Sequence, residues 1–290
     1  MGAADVVPGV SGGTIAFITG IYEQLISSIS QVDASLIKKI FKGQFLEVWR
    51  QINGSFLLSL VIGIGISVLT LAQLAHYLLK EHPIFLWSFF FGLVVASILY
   101  IGKQIEKWRL VHIISAVLAV AVAYFITRLT PASGTDNLFY LFLCGSIAIS
   151  AMILPGISGA FILVLMGAYS TVTKAVSDFD LKNIAVFGLG AVIGLLSFSK
   201  LLKWLFEHHR NIVLAILTGF ITGSLNKIWP WKKVIETKII NGKEKIINEV
   251  SIMPWNYEGE PLLIFAILLA IAGFTLIFGL EYFSNRTSSN

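Results

Sequence analysis

Two short segments combine glycines and hydroxyl side chains in a way that suits anion binding. Pro8-Gly9-Val10-Ser11-Gly12-Gly13-Thr14 occurs again, little changed, as Pro155-Gly156-Ile157-Ser158-Gly159. If each copy starts a short helix, the first turn presents unpaired N–H groups and a partial positive charge. Glycines let a ligand approach the backbone, and serine and threonine add hydroxyl donors. The pattern therefore predicts a site for a phosphate or a carboxylate.

The surroundings of both copies are strongly apolar. Hydrophobic residues make up 56% of the 290-residue chain and charged residues only 13%, whereas a soluble domain usually carries about 25% charged residues. We therefore predict that lipid solvates most of the chain. Non-helical backbone at membrane depth is tolerated where protein buries it or where it lines a cavity. Paired breaks in the two halves of a membrane protein are typical of a transporter's binding site. The alternative is that the small residues only let helices pack closely.

Charges near the apolar spans give further candidates, because ionisable groups within a membrane are costly and usually functional. Lys200 lies inside an apolar span beside hydroxyl residues and could bind phosphate as a point charge; alternatively it reaches the membrane interface. Asp5 could take a coupling proton or sodium ion, or cap the first short helix. Glu23, beside the first motif, is a second coupling candidate, although an interfacial position explains it better.

Signatures of enzymes and metal sites are missing from the sequence. It contains no nucleophile elbow, no P-loop, no HExxH and no cluster of histidine and cysteine. Cys144 is the single cysteine, which excludes a disulfide framework. We predict neither catalytic residues, nor a cofactor, nor a metal. The net charge of +5 lies in loops and suits anionic lipid better than nucleic acid.

The spacing of apolar residues predicts an all-α polytopic membrane protein, since about 20 apolar residues span a bilayer. The stretch from Leu138 to Thr173 carries no charge and is too long for one crossing. Proline removes a backbone donor, so this stretch breaks at Pro155-Gly156 and forms a re-entrant hairpin of two half-helices. The predicted crossings are Ser55–Leu79, Ile84–Gly102, Leu110–Thr127, Asn183–Phe206, Asn211–Asn226 and Pro261–Leu280.

The repeat extends beyond the motif, because Gly63, Gly92 and Ser97 align with Gly190, Gly219 and Ser224 at one constant offset. We divide the chain into a first membrane repeat, 1–132, and a second, 133–290, with an extramembrane loop at 229–260. Each repeat would hold one hairpin and about three crossings. An odd number of crossings inverts the second repeat relative to the first. Alternatively, each motif segment crosses the membrane once, which makes the repeats parallel and the loop 229–260 cytoplasmic. The second copy has an apolar lead-in that the first copy lacks, so we expect a lead-in helix to be missing before residue 1.

Three segments resemble the polyprenyl-phosphate transporter family called PopT, formerly described only as a domain of unknown function. They are 1–14, Leu154–Gly159 and Trp229-Pro230-Trp231-Lys232, and the resemblance covers essentially the whole chain. It implies a flippase in the bacterial plasma membrane. Such a protein returns undecaprenyl phosphate from the outer to the cytoplasmic leaflet for reuse in peptidoglycan and other cell-envelope synthesis, coupled to a proton or sodium gradient. An anion channel or small-anion carrier is the alternative, because similar motifs serve that purpose.

The candidate residues follow from these arguments. The predicted phosphate-binding residues are Gly9, Ser11, Gly12, Gly13, Thr14, Gly156, Ser158, Gly159 and Lys200, and the coupling candidates are Asp5 and Glu23.

Overall fold

The computed structural model describes residues 1–2, 11–129, 137–240 and 243–287, and within these ranges the chain is almost entirely helical. Two strands form the β-structure of these ranges. The helices are α1 (Gly12–Ile18), α2 (Tyr22–Ser30), α3 (Ala34–Phe41), α4 (Phe45–Gln51), α5 (Gly54–Glu81), α6 (Pro83–Lys103), α7 (Leu110–Arg128), α8 (Leu138–Ile153), α9 (Gly159–Leu165), α10 (Tyr169–Ser177), α11 (Leu181–Ser224) and α12 (Leu263–Thr287).

Four of these helices, α5, α6, α7 and α11, are long and apolar enough to cross a membrane. The bent pair of α9 and α10 passes the same test when taken together, and α8 and α12 contain shorter apolar stretches. The predicted all-α polytopic membrane protein is therefore confirmed at this level. Proline at the first position of α6 suits the start of a helix, where its missing N–H would have no partner.

Two predicted crossings are joined in the structure. The residues between the predicted crossings Asn183–Phe206 and Asn211–Asn226 are instead part of α11, which runs for 44 residues. At about 1.5 Å per residue this helix would be about 66 Å long, roughly twice the thickness of a hydrocarbon core. The backbone of His209 leaves the helical region, with φ −139° and ψ 41°, so α11 is broken near the boundary that the sequence places between two spans.

The motif regions have the same local structure in both halves. Each begins with a seven-residue helix, α1 or α9, and continues after a turn into a nine-residue helix, α2 or α10. The turn uses Gly20 in the first copy and Gly167 in the second, with φ of 74° and 68°. A side chain with a Cβ is strained at such angles, so glycine at both turns fixes the direction in which the second helix leaves.

Close helix contacts occur at glycines that have a backbone neighbour. A Cβ added at Gly92 on α6 would lie 1.8 Å from the carbonyl oxygen of Ala270 on α12. A Cβ at Gly219 on α11 would lie 2.3 Å from the carbonyl oxygen of Ala116 on α7. Small residues allow backbones in a membrane to approach in this way. By contrast, a Cβ at Gly63 on α5 would meet no atom within 4 Å.

An antiparallel hairpin of β1 (Lys232–Ile240) and β2 (Lys243–Ser251) follows the 3₁₀ turn Leu225–Ile228. Indole N–H groups tie this region together. The indole of Trp229 donates to the Ile252 carbonyl at 2.8 Å, and that of Trp231 donates to the Pro261 carbonyl at 2.9 Å. Trp231 is buried against Ile84 of α6, so the hairpin is anchored on the helices rather than loosely attached.

We predict that Gly92→Ala lowers the melting temperature of the purified protein, because the added methyl group would overlap the Ala270 carbonyl and overpack the contact by about 1–3 kcal/mol. Gly63→Ala is the matched control, since its methyl group meets open space and alanine favours the helix. Its melting temperature should be unchanged or higher. An equal decrease in melting temperature in the two variants would contradict the close contact between Gly92 and Ala270.

Candidate functional site

The second motif interrupts the helical backbone where the sequence predicts. Helix α8 ends at Ile153 and α9 begins at Gly159, and Gly156 between them has φ 85°. Proline at position 155 cannot donate to the preceding turn, so the chain leaves the helix there. The Ser158 hydroxyl then accepts a hydrogen bond from the Phe161 N–H and caps α9.

Helices α8 and α9 fold back on each other around this interruption. The Tyr140 hydroxyl near the start of α8 donates to the Met166 carbonyl just after α9, at 2.7 Å. At the other end, a Cβ at Gly159 would lie 2.7 Å from the Ala148 carbonyl oxygen. The two helices are therefore antiparallel neighbours with the motif at their tip. Beyond α9 the chain bends by 111° into α10.

The first motif is described from Ser11 onward, and Asp5, Pro8 and Gly9 lie outside the described residues. Ser11 adopts an extended backbone before α1, and its hydroxyl accepts a hydrogen bond from the Gly13 N–H at 3.1 Å. Ser11 and Thr14 are 2% and 1% exposed. Polar side chains as deeply buried as these need partners within the protein.

Further partners come from the second motif and from the end of α8 just before it, far along the chain. The Gly156 N–H donates to the Thr14 hydroxyl at 2.9 Å, and the Ser11 hydroxyl lies 3.4 Å from the Met152 carbonyl oxygen that it can donate to. A Cβ at Gly13 would lie 2.7 Å from the Ile153 carbonyl oxygen, so glycine is needed for this approach. The two motifs are in direct contact, as one shared site requires.

Several groups that the sequence predicts to bind an anion are already hydrogen-bonded within or between the two motifs. The Gly13 and Phe161 N–H groups donate to the capping serines, and the Gly156 N–H donates to Thr14. Two uncapped helix ends would present more unpaired backbone N–H groups than these two motifs do. A phosphate at this place would have to replace some of these bonds, which requires the two tips to move apart.

A small cavity lies beside the second motif. Its volume is about 20 Å³, and holding one water molecule takes at least about 10–15 Å³, so the cavity is closed to a phosphate group in this conformation. It lies between the second motif, the end of α7 and the end of α11. The lining residues are Ala123, Ile126, Thr127, Gly156, Ile157, Ser158, Phe161, Ser224 and Lys227.

Of the charged candidates, Lys200 and Glu23 lie away from this cavity, and Asp5 lies outside the described residues. Lys200 is exposed on α11 and is close enough to Asp33 for its charge to help lower the pKa of that carboxyl, after larger effects of hydrogen bonds from Ser35 and Leu36. This position favours the interfacial interpretation of Lys200. The Glu23 carboxylate pairs with the Arg210 guanidinium at 3.0 Å, next to the broken turn of α11. The roles assigned to Lys200 and Glu23 stay predictions.

Lys227, Thr127 and Ser224 line the cavity, and the sequence argument did not select them. Lys227 follows the last predicted residue of the span Asn211–Asn226, so a search for charges inside spans passes over it. A search for charges within one turn of a span's end would have included it. Ser224 did appear as a repeated position aligned with Ser97, but without any link to the second motif. The structure supplies that link, because a Cβ at Gly156 would lie 2.8 Å from the Ser224 hydroxyl oxygen.

Several long apolar helices around a buried polar contact between two similar motifs define a multi-pass membrane protein. A family-level comparison matches residues 1–246 to the family described as VCA0040-like, undecaprenyl phosphate translocase-like. The chain belongs to this family, in agreement with the resemblance found in the sequence. No solved structure matches the chain.

Two curated relatives carry the name polyprenyl-phosphate transporter. The relative from Vibrio cholerae serotype O1 is 44% identical over 292 aligned residues, which cover 99% of this chain and 94% of the relative. The relative from Staphylococcus aureus is 34% identical over 248 residues, covering 79% and 83% of the two chains. The family and its named members are transporters, so this chain is a membrane transporter and not an enzyme.

We predict that Thr14→Val weakens the contact between the motifs by about 1–3 kcal/mol, because the Gly156 N–H then lacks its buried acceptor. Valine has nearly the same shape as threonine, so packing is conserved. The expected result is faster hydrogen exchange in a peptide covering 154–158, together with a lower melting temperature. Thr14→Ser keeps the hydroxyl, so its hydrogen exchange and melting temperature should be close to those of the unsubstituted protein. Unchanged exchange in Thr14→Val would contradict the assigned hydrogen bond.

Proposed function

We propose that this protein moves undecaprenyl phosphate from the outer to the cytoplasmic leaflet of the bacterial plasma membrane, so that the carrier lipid is reused in cell-envelope synthesis. One structural observation carries the proposal: the Gly156 N–H of one motif binds the Thr14 hydroxyl of the other, beside a cavity lined by Ser158 and Lys227. Family membership and the names of the two relatives support the same substrate.

The shape of the substrate fits this arrangement. A polyprenyl phosphate needs polar groups only for its small head, while its long apolar tail can stay in lipid. The cavity beside the second motif is close to α7, whose Val122 and Phe125 are exposed apolar side chains on which a tail can lie. Moving a bare anion through hydrocarbon is very costly, and a short path of hydroxyl and amide donors between the two tips reduces that cost.

We also propose that the repeats, 1–132 and 133–290, are inverted relative to each other, with 229–260 outside the membrane. Reciprocal packing supports this arrangement. Helix α6 of the first repeat contacts α12 of the second at Gly92, and the corresponding part of α11 contacts α7 of the first repeat at Gly219. A two-fold relation between repeats produces such an exchange of partners. In this proposal both motif hairpins are re-entrant, and rocking of one repeat against the other exposes the site to each leaflet in turn.

Coupling to an ion gradient is the third part of the proposal. The Glu23 carboxylate pairs with Arg210, which directly follows the non-helical residue His209 in α11. Binding of a proton or a sodium ion by Glu23 weakens this pair and lets the two parts of α11 change their angle. Asp5 stays a second coupling candidate from the sequence. The predicted phosphate ligands are those of both motifs, Gly9, Ser11, Gly12, Gly13, Thr14, Gly156, Ser158 and Gly159.

Display of undecaprenyl phosphate on the outer face of bacterial cells tests the function. Cells without the protein should accumulate the lipid there, and cells expressing it should not. Cells that carry Gly159→Leu should accumulate the lipid on the outer face as cells without the protein do. The leucine side chain would overlap the Ala148 carbonyl and displace the second tip. Gly188→Leu is the matched control, since a Cβ there meets no atom within 4 Å. Both variants must be present in the membrane at the normal level.

Equal amounts of undecaprenyl phosphate on the outer face of cells with and without the protein would refute the proposed transport. Rapid chloride or phosphate flux in liposomes, together with equal display, would identify the protein as an anion channel or small-anion carrier.

Glu23→Gln tests the coupling. The amide keeps the size of the side chain but carries no charge and takes up no proton, so we expect lipid transport in proteoliposomes to lose its dependence on an imposed pH or sodium gradient. Glu47→Gln is the control, because Glu47 also forms an exposed pair, with Lys39 at 3.9 Å, away from both motifs. A gradient dependence that persists in Glu23→Gln would remove this residue from the coupling step.

A further inference from the structure

Lys227 places a positive charge at the cavity beside the second motif. It lies in the 3₁₀ turn Leu225–Ile228, directly after α11. Its ammonium group is 5.1 Å from the centroid of the Phe161 ring, and both side chains line the cavity together with Ser158. Among the described lining residues Lys227 is the charged one. A lysine at the edge of a hydroxyl-lined cavity is a suitable partner for a phosphate.

A carboxylate of the extramembrane hairpin holds this lysine. The Lys227 ammonium is 3.3 Å from the Glu249 carboxylate, and the Lys232 ammonium is 3.0 Å from the same oxygen. Two cations therefore share one anion, and the cluster carries a net charge of +1. A carboxylate that is already paired with one lysine can release the other without becoming an isolated buried charge.

The two lysines differ in how firmly they are held. The Lys232 side chain is only 10% exposed, and its ammonium lies 3.9 Å from the centroid of the Trp87 ring. The Lys227 side chain is 28% exposed and makes the longer contact with Glu249. Lys232 is thus fixed between a carboxylate and an aromatic face, which attracts cations, whereas Lys227 can exchange its partner.

Glu249 keeps its charge in this cluster. Burial alone would raise the pKa of its carboxyl, but the neighbouring Lys232 and Lys227 outweigh burial and hold the pKa below its usual value. Burial lowers the pKa of Lys232, and the charge of Glu249 partly offsets this effect. At neutral pH Glu249 is therefore an anion that competes with any other anion for Lys227.

We propose that Lys227 is the cation that binds the phosphate head of the lipid, and that Glu249 occupies Lys227 while no head is present. The inference rests on the proposed function and adds a residue and a step to it. When the motif tips move apart and widen the cavity, Lys227 exchanges the Glu249 carboxylate for the phosphate. Glu249 then stays paired with Lys232, so the exchange leaves no unpaired buried charge.

The hydroxyl groups around the cavity complete the binding site for the head. Thr127 of α7, Ser224 of α11 and Ser158 of the second motif all line it. Their hydroxyls now donate to carbonyls of their own helices, Thr127 to Tyr124 and Ser224 to Ile221. Hydroxyl hydrogens rotate freely between acceptors, so these groups can turn toward a phosphate without moving the backbone.

Binding of farnesyl phosphate to the purified full-length protein in nanodiscs tests this inference. Lys227→Gln should weaken binding by about tenfold or more, the effect of losing one charge-assisted contact. Lys227→Arg should retain most of the binding. Lys233→Gln is the matched control, because Lys233 pairs with Glu258 on the exposed side of the hairpin, and its affinity should not change. Farnesol, which lacks the phosphate, should not distinguish Lys227→Gln from the unsubstituted protein.

Glu249→Gln tests the competing role of the carboxylate. The amide can still accept a hydrogen bond from Lys232 but no longer neutralises Lys227, so farnesyl phosphate should bind more tightly than to the unsubstituted protein. Weaker binding in this variant, with a normal melting temperature, would show that Glu249 orients Lys227 rather than competing for it and would overturn the exchange.

The outcomes separate this inference from the proposed function. If the unsubstituted protein binds neither farnesyl phosphate nor inorganic phosphate, the proposed function fails. If it binds farnesyl phosphate and Lys227→Gln binds it equally well, the proposed transport is not contradicted. Lys227 then only connects the end of α11 to the hairpin and does not bind the phosphate. If inorganic phosphate binds as tightly as farnesyl phosphate and both depend on Lys227, the site recognises free phosphate and the lipid assignment is overturned.

Discussion

The structure depends on satisfying the backbone at the Pro155-Gly156 break. Groups that leave a helix in apolar surroundings have no water to bind and must find partners in the protein. For Gly156 the partner is the Thr14 hydroxyl of the other motif, so a local defect in one half of the chain is corrected by the other half. Gly13 and Gly159 then have to be glycines, because their neighbours are backbone carbonyls at distances that no side chain allows.

The same contact can also open. A single hydrogen bond contributes about 0.5–1.5 kcal/mol net, and the capping bonds of Ser11 and Ser158 are made within their own motifs. Separating the tips therefore breaks few bonds between the repeats. A carrier needs a closed state that protects the site and an open state of similar free energy. In the proposed mechanism, the contact between the motifs closes the site, and the small number of hydrogen bonds between the tips lets it open.

Features with local causes could be predicted from the sequence, and those made by distant contacts could not. Proline chemistry gave the break at position 155, and the equal turns at Gly20 and Gly167 follow from a repeated sequence. The charged run at 207–210 separates two predicted crossings, yet the helix continues through it with one distorted residue. Arg210 in this run pairs with Glu23, 187 residues away in the chain, and no local pattern encodes that contact. The link between Lys227 and the second motif comes from the cavity that Lys227 and Ser158 both line, and no local pattern encodes it.

The net charge of the Lys227, Lys232 and Glu249 cluster has a consequence beyond the cavity. A surplus positive charge that is only partly exposed attracts anions from a distance of roughly one Debye length, about 10 Å at 0.1 M salt. In the proposed function, this charge would concentrate anionic lipid near the cavity before any specific bond forms. Ionic strength should thus govern how often a head group arrives, while the hydroxyls inside govern how long it stays.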